Sequence, residues 1–311
     1  IGIRATGIIA FVSMALSGVL MYASTHYASL SASYFLLYLG NGMLEIGLGI
    51  MAARIFTKNT GMMMNLSHFF YGFSSTVAPL LASSMMGWSA FGHELEWRGM
   101  YLIMLMLSLL PVIPALFGKF PDSTGTAEER LPLKIFFRDR IAWMIVLILS
   151  CGCVAELSIG SWLVNYLEKA QGWSTEQASG MLSLFFLFFM LARLLLGPLT
   201  DRIGYLLSII IFSAVAGLSC IGAVLGGGRA AILFAVAGAG VAPIYPTVMA
   251  LLAKRYPRGT ESAITFTVTL LGIGSMLGNL FIGAVIDIAS RFAVSLGWSG
   301  SVKFGMQSGF L

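Results

Sequence analysis

Two glutamates stand where a carboxylate is hardest to keep ionised. Glu45 lies in GNGMLEIGLG (40–49) and Glu156 in AELSIGSWLVNYLEKAQGWS (155–174), each near the middle of a long apolar run. At 1.5 Å per residue, Glu45 is about 16 Å into a run that begins near residue 34. A charge at that depth costs about 3 kcal/mol on insertion scales, so such groups face an aqueous cavity, pair, or take up a proton. Both glutamates are therefore proton-exchange candidates. The alternative for each is a neutral acid hydrogen-bonded between helices.

Other polar groups interrupt the apolar runs. Asn41 precedes Glu45 by one turn. Asn65 and His68 share a face of the next run, with Tyr71 just beyond. His68 suits either a proton relay or a structural hydrogen bond to a neighbouring helix. Trp162 and Tyr166 are four residues apart on the Glu156 run. Rings with polar tips stack on sugars, and they also anchor spans at the membrane interface. Tyr166, near its run's end, reads as an anchor, and Trp162 fits both roles. In GVAPIYPT, Pro243 and Pro246 each delete a backbone donor mid-run and free a carbonyl, with Tyr245 between them and Thr247 after. Broken helices of this kind flank transporter sites, though a tolerated kink is the plainer reading. Asn41, His68, Tyr71, Trp162, Tyr245 and Thr247 are the candidate solute contacts.

These residues need a scaffold of membrane helices. The chain is 58% hydrophobic and 10% charged, far from the ~25% charged residues of soluble domains. Runs near the ~20 residues that cross a bilayer recur at 5–24, 34–54, 62–86, 98–117, 141–167, 176–200, 205–226, 230–253 and 262–289. They are too long for barrel strands, which leaves helices. The expected fold is an all-α membrane bundle. The polar stretch 118–140 divides it into residues 1–117 and 141–311, and suits either an amphipathic segment on the membrane face or a solvated linker. Most lysines and arginines, Arg54, Lys58, Lys134, Arg138, Arg140, Lys254, Arg255 and Arg258 among them, fall in alternate loops, which sets the start and the 118–140 linker on the cytoplasmic side of a cell membrane. The opening without methionine and the closing SVKFGMQSGFL read as a fragment. Gly40/Gly42 and Gly238/Gly240, about 200 residues apart, suggest duplicated halves, the plan of many secondary transporters. Gly274 and Gly278 have small-xxx-small packing spacing.

The end of the sixth run, ARLLLGPLTDRIG (192–204), resembles the G-x-L-x-D-R-x-G turn of the major facilitator superfamily. The resemblance implies two six-helix halves, of which these runs are helices three to eleven. It also implies that Gly197, Asp201, Arg202 and Gly204, with Arg193 upstream, form an inner gate, Arg193 either snorkelling inward or pairing with a gate carboxylate. With GNGMLEIGLG, MNLSHFFYGFSSTVAPLL (64–81), AELSIGSWLVNYLEKAQGWS and GAGVAPIYPTVMAL (238–251), the chain is similar to the fucose/glucose permease-like, sugar:proton symporter branch. In that branch the acid of the matching Leu-Glu takes part in proton coupling, a role that falls to Glu45. The branch's cavity asparagine aligns with Tyr71, so the sugar contacts do not transfer intact.

The resulting expectation is a monomeric secondary transporter moving a small polar solute, a monosaccharide first, together with protons through the lipid bilayer. A drug:proton antiporter and a non-transporting receptor on the same fold are the alternatives. No nucleic-acid partner is expected without a basic soluble domain. HExxH, GxSxG and Walker patterns are absent from the sequence, so no enzyme and no cofactor is expected. Cys151 and Cys153 have no neighbouring histidine, so no metal is expected either.

Overall fold

A computed structural model describes residues 2–86, 88–90, 93–94, 96–118, 120 and 131–311. It is an all-α membrane protein. Its helices are α1 (Ile3–Ala23), α2 (Tyr27–Ile55), α3 (Thr60–Met86), α4 (Glu96–Met106), α5 (Val112–Phe117), α6 (Leu133–Arg138), α7 (Arg140–Gln171), α8 (Thr175–Ile203), α9 (Tyr205–Gly226), α10 (Ile232–Val241), α11 (Ile244–Arg255), α12 (Thr260–Ser295) and α13 (Ser301–Phe310). A two-residue antiparallel ladder pairs Ser89–Ala90 with His93–Glu94. Of the linker 118–140, residues 119 and 121–130 lie outside the described residues.

Eight segments among the described residues are long and apolar enough to cross a membrane. The ninth expected run, 62–86, forms α3, 27 residues long, with Asn65, Ser67, His68, Ser74, Ser75 and Thr76 among its apolar residues. Two segments are each built from two helices. Between α4 and α5 a 3-10 turn, Leu107–Leu109, precedes Pro111, which has no N–H to continue the ladder. Between α10 and α11 the chain turns at Ala242 and Pro243.

The helices group into two compact units, Ile1–Ile55 with Val77–Leu131, and Phe56–Thr76 with Pro132–Leu311. In the first, α1 meets α2 where a Cβ on Gly40 would stand 2.8 Å from the Ala10 carbonyl oxygen. Only glycine permits that approach. In the second, α10 is wedged against α8 and α9, with Gly238 and Gly240 facing the Phe185 carbonyl and the Ala216 amide equally closely. Gly274 meets Ser150 of α7, so the small-residue spacing on α12 does serve helix contact.

Tyr166 corrects an expectation. It is fully buried, its hydroxyl accepts from Gln171 Nε2 at 2.9 Å, and its ring meets Phe234 edge-on at 5.9 Å. It is a core residue of the second unit rather than an interfacial anchor. A tyrosine near a span's end satisfies both patterns, and only the position of Phe234 decides between them.

Local signals set the helix ends. Asp139 caps α7 by accepting from the Ile141 amide at 2.8 Å. Gly172, at φ 72°, ends that helix, with the Trp173 amide reaching back to the Leu167 carbonyl. Ser174 and Gln177 form a reciprocal capping box at the start of α8. Beside α7, the short α6 is pinned by Phe136, fully buried between Tyr256 (5.2 Å) and Phe266 (5.8 Å). Tyr256 donates to Asp139 Oδ2 at 2.6 Å. That bond holds the Asp139 carboxyl below its ordinary range, while burial first and the same bond second push the Tyr256 phenol up to about 12.

Candidate functional site

The second unit organises its buried charge around a missing hydrogen bond. Pro246 has no N–H, so the carbonyl of Ala242, four residues earlier, loses its helical partner. Arg193 of α8 replaces it, donating from Nε to Ala242 O at 3.0 Å. A second nitrogen, Nη1, donates to the His68 carbonyl of α3 at 3.0 Å. The third, Nη2, lies 4.0 Å from Oε2 of Glu156 on α7. The guanidinium rests on the Phe189 ring at 4.1 Å, with the Tyr71 ring at 5.4 Å. Arg193 is 3% exposed and Glu156 14%.

Two nitrogens are thus anchored to carbonyls that do not titrate. The third faces a carboxylate at more than the ~2.8 Å of a charge-assisted hydrogen bond. The arginine's position is thereby fixed by two backbone oxygens as well as by its carboxylate neighbour. The carboxylate partner of Arg193 is accordingly Glu156, not an acid of the turn at the end of α8.

The sequence-expected contacts divide around this cluster. His68 and Tyr245 join it, their rings 4.9 Å apart, and it is the His68 backbone carbonyl, not the imidazole, that meets Arg193. Tyr71 joins it through its ring. Trp162 is partly exposed, six residues beyond Glu156 on α7, whereas Thr247 is fully buried in α11 and its hydroxyl has no partner among the described residues. Phe189 and the Ala242 carbonyl were not anticipated. The carbonyl was findable, because Pro246 names the oxygen it orphans.

The last two turns of α8 have a different chemistry. Asp201 accepts from the amides of Gly61 and Met62 at 2.9 and 2.8 Å and from the Tyr205 hydroxyl at 3.0 Å. It therefore caps the N-terminus of α3, where helical amides lack partners and the dipole favours an anion. Gly197 allows the two helices to close, since a Cβ there would stand 3.0 Å from Asn65 Cβ and 3.2 Å from Met62 Cα. Gly204, at φ 88°, takes the chain from α8 into α9. Arg202 is exposed. Gly61 was missed in the sequence, although a side chain there would collide with Thr200 and crowd Asp201.

In the first unit, Glu45 is partly buried and Asn41 exposed, both on α2. A cavity of about 280 Å³ between α1, α2 and α5 is lined by Phe11, Leu44, Met51, Pro114 and other apolar side chains, with Arg4 also on its wall and Glu45 not among the lining residues.

Apolar helices broken at prolines, an intramembrane guanidinium and a GPLTDRIG turn that caps another helix coincide with a family pattern. The Major Facilitator Superfamily model matches residues 1–279. The chain belongs to the major facilitator superfamily. This makes it a multi-pass membrane protein of a transporter family. Among solved structures, a major facilitator transporter, FucP, in the outward conformation matches with a TM-score of 0.76 at 19% identity, covering 99% of this chain and 80% of the other. A variant of the E. coli fucose:proton symporter gives 0.74 at 18%, over 99% and 81%. A bacterial homologue of the iron transporter ferroportin gives 0.68 at 16%, over 99% and 79%, and a human organic anion transporter 0.65 at 15%, over 99% and 75%. At these identities the likeness is one of fold. No curated protein sequence matches this major facilitator chain significantly.

Proposed function

We propose that the chain is the helical body of a secondary transporter that moves a small polar solute, a monosaccharide first, by proton-coupled alternating access in a cell membrane, with its start and the 118–140 linker cytoplasmic. The observation that carries this reading is the Glu156–Arg193 pair: a buried guanidinium fixed by two carbonyls and facing a carboxylate 4.0 Å away. Protonation of Glu156 removes the attraction while the arginine stays in position, which is the behaviour wanted of a coupling group. Glu45, the second intramembrane acid, is the other proton carrier. His68, Tyr71, Tyr245 and Trp162 supply solute contacts near Glu156, with Asn41 near Glu45. Asp201 with Gly197, Gly204, Arg202 and α3 forms an inner latch that must open in each cycle, its three hydrogen bonds being exchangeable for water at the membrane face. The fold likeness to a fucose:proton symporter supports symport of a sugar. The likeness to an organic anion transporter keeps other solutes in the test.

The test uses the full-length protein in proteoliposomes with an interior pH dye, offering hexoses, 6-deoxyhexoses, a sugar acid and cationic drugs. Hexose-driven acidification that is lost in Glu45→Gln and Glu156→Gln is the expected result. Proton movement driven only by a cationic drug would replace the reading with drug:proton antiport. Acidification unchanged in both variants would remove the two glutamates from coupling.

A further inference from the structure

The short helix α6 turns different side chains to the protein, to water and to the bilayer. At about 100° per residue, Lys134 and Arg138 fall on one stripe about 40° wide, and Leu133, Ile135, Phe136 and Phe137 occupy the rest of the circumference. Phe136 is the buried one, held between Tyr256 and Phe266. Leu133, Ile135 and Phe137 are exposed, Phe137 by 55% although its ring meets Phe266 at 5.1 Å. Most of the apolar surface of α6 is therefore left outside the unit. Beside it the indole of Trp143, near the start of α7 and also exposed, donates to the Phe137 carbonyl at 3.0 Å. An exposed indole at the start of a membrane span sits at headgroup depth. Tied to that indole, α6 presents apolar side chains and a basic stripe together, the pattern of a helix lying in the interface plane.

The charge around α6 is one-sided. Lys134, Arg138 and Arg140, with Lys254 and Arg255 at the end of α11 and Arg258 just after, are all exposed. Tyr256 joins the two groups, since its ring packs on Phe136 and lies 6.0 Å from the Arg255 guanidinium. Among the described residues the acids at this end of the second unit, Asp139, Asp201 and Glu261, are each partly buried. Asp139 and Asp201 already accept hydrogen bonds from their neighbours. At the opposite end the charges balance: Arg291 pairs with Asp287 at 2.9 Å, and Glu176 is exposed. Six exposed cations without an exposed acid draw an anion from outside the protein, and at headgroup depth that anion is a lipid phosphate.

We propose that α6, the start of α7 and the end of α11 seat anionic phospholipid of the inner leaflet. Lys134, Arg138 and Arg140 meet its phosphate, and Leu133, Ile135 and Phe137 meet the upper part of its acyl chains. Phe136 and Trp143 hold the helix at the depth where both contacts are made. Because the lipid binds the folded unit, stability rises with the anionic fraction of the bilayer. The seat rests on the reading of this end as cytoplasmic and is independent of the solute.

The test follows thermal unfolding of the full-length protein in nanodiscs of phosphatidylcholine with increasing phosphatidylglycerol. The melting temperature should climb with phosphatidylglycerol at about 0.1 M salt and lose most of the gain at about 1 M, where charges are screened within about 3 Å. In a detergent titration, Lys134→Gln combined with Arg138→Gln and Arg140→Gln should weaken phosphatidylglycerol about a hundredfold. Arg229→Gln with Lys303→Gln, at the opposite end, should leave its affinity unchanged. Leu133→Ser with Phe137→Ser should weaken it while keeping the salt dependence. Equal gains from the two lipids, or an affinity undiminished in the triple variant, overturn the seat. The lipid and salt series are read on the parent, so they decide the matter even where the triple variant unfolds. Inorganic phosphate that reproduces the gain in pure phosphatidylcholine makes this a soluble-anion site and also overturns the lipid seat. Finally, Leu133→Cys, with Cys151, Cys153 and Cys220 replaced by serine, should resist a membrane-impermeant thiol reagent added to intact cells. Labelling there rejects the cytoplasmic placement and leaves the lipid contact standing.

Discussion

Asp201 and Glu156 are both carboxylates of the second unit that meet a donor from a neighbouring helix, yet their surroundings are opposite. Asp201 accepts three hydrogen bonds of 2.8 to 3.0 Å from two backbone amides and a hydroxyl. Glu156 has among its neighbours a guanidinium nitrogen at 4.0 Å, and that guanidinium is also bound to two carbonyls. The first carboxylate ties two helices together through three bonds; the second meets a cation already anchored to two carbonyls. The contrast sets two kinds of interhelical tie along one helix, α8: to the start of α3 through Asp201, and to α3, α7 and the α10–α11 break through Arg193.

The comparison breaks first at Arg193. Removing one member of a buried charge arrangement costs about 3–5 kcal/mol, so Arg193→Gln should sharply lower the melting temperature of the detergent-purified protein, while Glu156→Gln lowers it far less. Equal losses would make the pair a structural lock. Pro246→Ala restores the N–H that Ala242 lacks and sets it in competition with Arg193. Combined with Arg193→Lys, it should show a coupling energy of about 0.5–3 kcal/mol in a double-mutant cycle on thermal stability; additive losses would disconnect the proline from the arginine. Asp201→Ala should cost about 0.5–2 kcal/mol, as loss of a helix cap does. Asp201→Asn should cost less, since only the charge–dipole part, about 0.3–1 kcal/mol, is removed.

The smallest effect is at the Asp139–Tyr256 bond. Because the folded state holds Asp139 below its ordinary value of 3.8, its stabilisation is present above that value and disappears as pH falls through the depressed one. Tyr256, pushed up to about 12, contributes below its ordinary 10.0 and is lost between the two values. A pH series of melting temperatures should therefore show an acid-side fall in the parent that is shallower in Asp139→Asn.

Much of the scaffold was readable because membrane helices announce themselves by length and hydropathy, and most predicted spans match helices to within a few residues. The helix break at Pro243, the carbonyl that Pro246 frees and the positive φ of Gly204 have local causes. What escaped were pairings over long sequence separations. Nothing near Asp201 says that its donors are Gly61 and Met62, 140 and 139 residues away. Nothing near Arg193 excludes an acid of the turn in favour of Glu156. Tyr166 was misread because an amphipathic ring near a span's end fits an interface and a core equally well.

The bond between Arg193 and Ala242 also sets an order of events during synthesis. The arginine emerges 49 residues ahead of the carbonyl that receives it, an interval of about 2–10 s at ordinary elongation rates. Throughout it, α8 carries into the membrane a cation whose exposure to lipid costs about 3 kcal/mol, with the His68 carbonyl and Glu156 already synthesised to meet it. The arginine's set of partners is complete only when the α10–α11 segment has followed and Ala242 offers the oxygen that Pro246 leaves free.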